Sequence, residues 1–190
     1  MKMTNQLAQR ISEIAKLHGN DSISDQFIQR LSEDQLLTRD ENPRTHYCVY
    51  FAAYDPTAKE VFIGHHKKSG LWLFNGGHID RGETPEEALL REIGEEWGLK
   101  INLDLIGEPK LLTITEINNP TKQTCTRHYD IWYFVPVEKE RFMPAEALLS
   151  KEFYKTDWLS PAKAQTIITD PGTLKAISTF EDIFNQDETI

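Results

Sequence analysis

Cysteine is scarce: Cys48 and Cys125 are the two among 190 residues. Two such residues build no disulfide framework, and each stands in an apolar stretch where a small buried hydrophobe is the simpler reading. Positive charge is also short, since 21 Lys and Arg against 30 Asp and Glu leave a formal charge of −9. A coat for duplex nucleic acid needs a basic face to displace counterions, so this balance argues against that class. Anionic substrates stay open, because a bound divalent ion inverts the local field. Long apolar runs are missing too. The longest cover residues 48–54 and 131–137, far below the roughly 18 residues of a membrane-spanning helix. The first ten residues carry no hydrophobic signal region, and the cytoplasm is the expected location.

What remains is enough to fold. A hydrophobic fraction of 39% with 10% aromatics supports a core, and the length suits one domain with an extension. Leu7, Ile11, Ile14 and Ala15 predict an amphipathic helix over residues 3–18, closed by Gly19-Asn20. Ser24 is the expected cap of a second helix carrying Phe27, Ile28 and Leu31. A helix-turn-helix would want a denser basic face than this, the second helix offering only Arg30 and Arg39 as cations. A packing arm or a dimerisation element, through which a homodimer would form, is the better reading. Pro43 disfavours helix at Asn42, so residues 1–42 read as arm and connector and 43–190 as the main domain.

From His46 the pattern turns to β. Strands are expected over residues 47–54, 61–65, 71–74, 111–117, 128–137 and 153–159, all rich in β-branched and aromatic residues. Ser160-Pro161 caps one later helix, and Asp170-Pro171-Gly172 separates it from a last one with Leu174, Ile177, Phe180 and Phe184. The sum is a mixed α/β domain.

The chemistry concentrates between Gly76 and Leu99. Thr84 is a good N-cap, Pro85 suits the first helical position and Glu87 completes a capping box. A helix over 85–97 follows, stopped by Gly98. Leu89, Leu90, Ile93 and Trp97 share one side, while Glu92, Glu95 and Glu96 gather on another at i, i+3, i+4 spacing. Like charges so close destabilise a helix unless something neutralises them. A solvated acidic face is one reading; an oxygen-rich site for Mg²⁺ or Mn²⁺ is the other. Glu83 before the helix and Arg91 within it are spaced for an ion pair fixing the loop. Gly94 inside the helix predicts a close packing contact, because glycine there costs up to ~1 kcal/mol relative to alanine.

Read together, these residues resemble the Nudix hydrolase family. Its signature is Gly, five residues, Glu, seven residues, Arg-Glu, an aliphatic residue, any residue, Glu-Glu, any residue, Gly and an aliphatic residue. Gly77, Glu83, Arg91, Glu92, Ile93, Glu95, Glu96, Gly98 and Leu99 fill every place. The likeness extends over about residues 44–165 and implies a Nudix-type α/β/α sandwich with a mixed sheet, to which the N-terminal helices are an addition. Asn75 departs from it, standing where many members carry Pro.

The resemblance implies Mg²⁺-dependent hydrolysis, with Mn²⁺ as an alternative ion, of a nucleoside diphosphate linked to another group. Glu92, Glu95 and Glu96 would be metal ligands, the Gly77 carbonyl a further one, and Glu92 or Glu96 would help deprotonate water. Glu83 and Arg91 would organise the loop. Glu152 is the candidate for a base or ligand outside the signature, the alternative being an exposed loop acid. Lys67, Lys68 and His65 are candidates for substrate phosphates, as is Arg127, and Asn75 bears on the substrate pocket. Trp72 and Tyr133 would stack on a base or pack in the core. Subfamily marks for ADP-ribose, dinucleoside polyphosphates, NADH and coenzyme A are missing, which leaves a (deoxy)nucleoside triphosphate. Two rivals stand beside this reading. An isopentenyl diphosphate isomerase-like enzyme would need Cys48 or Cys125 as a reactive thiol. A non-catalytic nucleotide sensor would use the helical arm for interaction.

Overall fold

Leu7, Ile11, Ile14 and Ala15 are all buried, so the N-terminal helix forms around a stripe that leaves water. The computed structural model describes residues 2–19, 21–117 and 124–186; Asn20, half of the expected turn, lies outside the described residues. The elements in chain order are α1 (Lys2–Leu17), α2 (Ser22–Glu33), β1 (Thr45–Asp55), β2 (Glu60–His66), β3 (Trp72–Leu73), β4 (Asn75–His78), α3 (Pro85–Glu96), α4 (Leu103–Ile106), β5 (Leu111–Glu116), β6 (Arg127–Pro136), α5 (Glu146–Glu152), β7 (Phe153–Leu159), α6 (Pro161–Gln165) and α7 (Pro171–Gln186). Strand order is β3-β2-β1-β6-β5, with β4 against β1 and β7 against β2. Two compact units divide the chain, and β1 and β6 run through both.

The first unit holds residues 1–50, 76–91 and 108–132. Its centre is a trio of rings, Phe27, Tyr47 and Tyr129, with centroids 5.2–5.5 Å apart. The Tyr47 hydroxyl donates to the Phe27 carbonyl at 2.9 Å, so its polar end is satisfied where water is excluded. Arg10 of α1 bridges Glu86 at 2.7 Å and Glu108 at 2.6 Å. The apolar face of the arm is thus occupied by its own chain. Antiparallel β5 and β6 run in register from Leu111↔Trp132 to Glu116↔Arg127. Burial holds the His46 imidazole below its ordinary pKa and pushes that of His128 down to about 3, favouring the neutral form of each.

The second unit holds residues 51–75, 92–107 and 133–190. Phe134 stacks on Phe180 with centroids 4.0 Å apart, and Trp97 meets Phe51 and Phe142 edge-on at 4.8 and 4.9 Å. β2 pairs with β7 from Val61↔Leu159 to His66↔Phe153, with an irregularity between His65 and His66.

Four local expectations change. Asp21, not Ser24, caps α2, its carboxylate accepting from Ile23 and Ser24 N–H; an aspartate one turn earlier outcompetes the serine. Residues 75–78 form β4, a strand outside those expected. Gly76 permits it, because a Cβ there would stand 2.6 Å from the Val49 carbonyl oxygen. α4 and α5 were not legible: four and seven residues are too short to show a period, and Ala145 caps α5 without a side-chain hydrogen bond. Finally, a Cβ on Gly94 meets nothing within 4 Å, so close packing is not its reason.

Candidate active site

The segment entering α3 is held by three polar devices. Thr84 and Glu87 form the reciprocal capping box, with Thr84 N–H to Glu87 Oε2 at 2.8 Å and Glu87 N–H to Thr84 Oγ1 at 3.3 Å. Arg91 grips Glu83 with two parallel bonds, Nε at 2.7 Å and Nη2 at 2.9 Å, and donates from Nη2 to the His78 carbonyl at 2.8 Å. Glu83 also accepts the Asp80 N–H at 3.0 Å. The Arg91 guanidinium holds the Glu83 carboxyl below the ordinary carboxylate range. One arginine thereby ties β4, the loop and the helix in a single arrangement.

The acids follow in the second unit. Glu92 is buried, Glu96 half-buried and Glu95 exposed. Glu92, Gly94, Glu95 and Glu96 line a cleft of about 480 Å³ together with Leu148, Lys151 and Glu152. Gly94 finds its explanation here: a side chain would project into the cleft. Burial pushes the Glu96 carboxyl up to about 8, and the charges of Glu92, Glu152 and Glu95 add to the rise, while the Asn75 amide, donating to Glu96 Oε2, opposes it. A carboxylate so disfavoured in its charged form is short of a cation. The carboxylates of Glu92, Glu95, Glu96 and Glu152 offer oxygen only, the set that suits a hard divalent ion and not a soft one. These residues fit Mg²⁺ or Mn²⁺.

The remaining candidates are placed as follows. Glu152, at the end of α5, lies with its carboxylate 3.6 Å from His66 Nε2. Lys67 is tied to the same helix end, its backbone N–H donating to the Glu152 carbonyl at 2.8 Å and its Nζ to the Ser150 carbonyl. Burial lowers the His66 pKa and Glu152 counters it. His65 Nε2 lies 3.0 Å from the Gly70 carbonyl oxygen, and its ring is stacked on Trp72. Lys68 is exposed. Arg127, in the first unit, pairs with Glu116 across the β5–β6 register. Tyr133 is fully buried in the core, whereas Trp72 is half-buried beneath the Lys155 ammonium. Gly77 lies on β4. Two features of the site escaped the sequence. Leu148 and Lys151 reach it on a helix with no cap signal, and Asn75 contacts Glu96 from 21 residues away.

Comparison with known proteins places this geometry. The NUDIX domain family matches residues 44–180. The RNA pyrophosphohydrolase of Sulfurovum sp. (strain NBC37-1) is 43% identical over 67 residues, which are 34% of this chain and 42% of that protein. The chain therefore spans less than half the length of that curated relative. Among solved structures, the E. coli dihydroneopterin triphosphate pyrophosphohydrolase superposes with a TM-score of 0.59 at 18% identity, over 70% of this chain and 93% of its own. An Ap4A hydrolase complex from C. elegans gives 0.56 at 16% identity, over 74% and 98%. At such identities the likeness is one of fold: a Nudix-type mixed sheet with helices, here preceded by α1 and α2. With the family signature complete from Gly77 to Leu99 and the family match covering more than half of its residues, the chain belongs to the NUDIX family.

Proposed function

We propose that the protein is a pyrophosphohydrolase that uses Mg²⁺, with Mn²⁺ as a substitute, to cleave the diphosphate linkage of a (deoxy)nucleoside triphosphate. The observation that carries this reading is the cleft in which Glu96, held up to about 8, meets Glu92, Glu95 and Glu152. Glu92, Glu95 and Glu96 would hold the metal. A divalent ion held there would supply positive charge to offset the negative charge that develops as the phosphoanhydride breaks. The chain's own groups do the rest. Glu152, on the wall of the same cleft, accepts the proton of the attacking water as the water oxygen bonds to phosphorus and the phosphoanhydride bond breaks. Arg91 and Glu83 position the loop and make no contact with the reacting atoms. Lys151, on the cleft wall, and Lys67, hydrogen-bonded to the end of α5, would supply positive charge for the phosphates, with Lys68 and His65 as further candidates. Asn75 orients the Glu96 carboxylate.

The triphosphate is favoured by elimination among the family's substrates, and a cytoplasmic nucleotide pool would supply it. The relative named for RNA adds RNA ends to the candidates. A homodimer through the arm would use its outer surface, where Leu17 and Ile28 are exposed, since the inner stripe is occupied.

The test is release of phosphate or pyrophosphate in Mg²⁺ across canonical and oxidised triphosphates, ADP-ribose, dinucleoside polyphosphates, sugar nucleotides and triphosphorylated RNA. Turnover of one triphosphate well above the rest supports the assignment. Turnover of another diphosphate corrects the substrate and keeps the chemistry. Silence across the panel from folded protein overturns the hydrolase in favour of a sensor.

A further inference from the structure

A second cluster of ligating side chains stands apart in kind from the acids. His46 and Cys48 are two residues apart on β1 and share one of its faces. His78 ends β4 and His128 is the second residue of β6, and both strands pair with β1. One ligand atom from each of the four lies within 4.8 Å of the other three. All four residues belong to the first unit.

We propose that His46, Cys48, His78 and His128 form a structural metal site for a borderline divalent ion, zinc foremost. Three observations support it beyond the grouping. His46 Nδ1 lies 2.9 Å from the Asn42 carbonyl oxygen and donates its hydrogen there. That bond fixes the tautomer and leaves Nε2 with a lone pair, as a carbonyl does for a metal-ligating histidine. His128 Nε2 is buried with no hydrogen-bond partner, which a protein interior tolerates poorly unless something else meets that atom. The three rings stand with centroids 4.8, 4.9 and 5.3 Å apart and planes at 45°, 59° and 87°. Imidazoles arranged tetrahedrally about an ion roughly 2.0–2.1 Å from each nitrogen have centroids about 5 Å apart.

Donor chemistry selects the ion. Three neutral imidazoles and a thiolate suit zinc or cobalt and not magnesium. Four protein ligands also leave no open position, the mark of a structural site. Ligands around zinc would stand roughly 3.3–3.7 Å apart, so small side-chain rotations close the set. Loading releases the Cys48 proton to solvent as the thiolate–metal bond forms. Cys125 lies 3.8 Å from His46 Nε2 but outside the mutually close four. The site would pin β1, β4 and β6 within the first unit.

The full chain, stripped with a chelator and titrated with Co²⁺, tests this directly. With Mg²⁺ in excess to occupy the acidic cleft, the expected result is one equivalent of cobalt bound, with the intense visible absorption of a tetrahedral ion and a thiolate-to-cobalt charge-transfer band. Cys48→Ser abolishes that band and weakens binding tenfold or more, whereas Cys125→Ser keeps it. Zn²⁺ displaces the cobalt and raises the melting temperature of the wild type by several degrees. Should Cys48→Ser not fold, His128→Gln and the zinc content of freshly purified wild type decide the matter. A weak octahedral spectrum, a band indifferent to Cys48→Ser, or no uptake overturns the site. Glu96→Gln separates this site from the acidic cleft: it leaves the cobalt spectrum unchanged, and loss of the spectrum in that variant also overturns the proposal.

Discussion

The acids of α3 and the histidine–cysteine group of β1, β4 and β6 handle charge in opposite ways. Glu92, Glu95, Glu96 and Glu152 crowd negative charge around one cleft, and Glu96 responds by keeping its proton up to about pH 8. Burial favours the neutral form of His46 and His128, which works against a comparable build-up of charge there. On the proposed reading, a hard cation would relieve the repulsion in the first group, which lines an open cleft where water and phosphate oxygens could complete the coordination. The second offers nitrogen and sulfur with no vacancy for substrate. Ligand softness and access, rather than the number of ligands, separate a site built for turnover from one built for stapling.

The largest effect should come from the open site. Glu96→Gln would remove a charge from the proposed metal site and should lower turnover by about a hundredfold or more, some 3 kcal/mol of transition-state stabilisation. The same change should leave the melting temperature unchanged or raise it, because it relieves repulsion. A variant that loses both activity and stability would erase the distinction between the clusters. Next in size is Arg91→Ala, which breaks the paired bonds to Glu83 and the bond to the His78 carbonyl. Charge-assisted bonds, discounted for partial exposure, put the loss at about 1–2 kcal/mol by chemical denaturation. Turnover should fall with it, and Arg91→Lys should recover only part, since an ammonium cannot make the bidentate grip.

pH sharpens the contrast further. The folded Glu96 pKa is raised, so the folded state holds that proton more tightly than the unfolded chain. Its favourable contribution is complete below the ordinary value of 4.5 and is lost as pH rises to about 8. Glu83 has the opposite sign: its depressed pKa contributes stability above the ordinary carboxylate range, lost as the solution is acidified. Chelated protein should therefore lose stability between about pH 4.5 and 8, and saturating Mg²⁺ should flatten that decline. Asn75→Ala removes the bond that lowers the Glu96 pKa and should move the alkaline limb upward. A decline unaffected by Mg²⁺ would remove Glu96 from the metal site. The smallest effect belongs to Gly94→Ala, which should stabilise the helix by up to ~1 kcal/mol and raise KM by narrowing the cleft.

The two groups also differ in how far the sequence reveals them. Glu92, Glu95 and Glu96 occupy one stretch of helix at i, i+3, i+4, so their meeting follows from the pitch alone. The capping box and the Glu83–Arg91 pair are legible for the same reason, the partners in each being no more than eight positions apart. His46, His78 and His128 are separated by 32 and 50 positions, and only strand pairing brings them together. Cys48 read as a small hydrophobe because an isolated buried thiol is one. Glu152 is a candidate in the sequence, but its seven-residue helix is too short to show a period. Asn75 was seen as a departure from the family pattern, while its contact with Glu96 depends on the fold. Local geometry was readable; contacts across elements were not.

The most direct test of the central claim is Mg²⁺-dependent turnover of the best substrate by wild type and Glu96→Gln, side by side with and without chelator. Activity in the wild type that disappears on chelation, and is about a hundredfold or more lower in the variant with an unchanged melting temperature, is the predicted result. Equal turnover by the two proteins, or turnover that survives chelation, would contradict the assignment of the acidic cleft as the hydrolytic metal site.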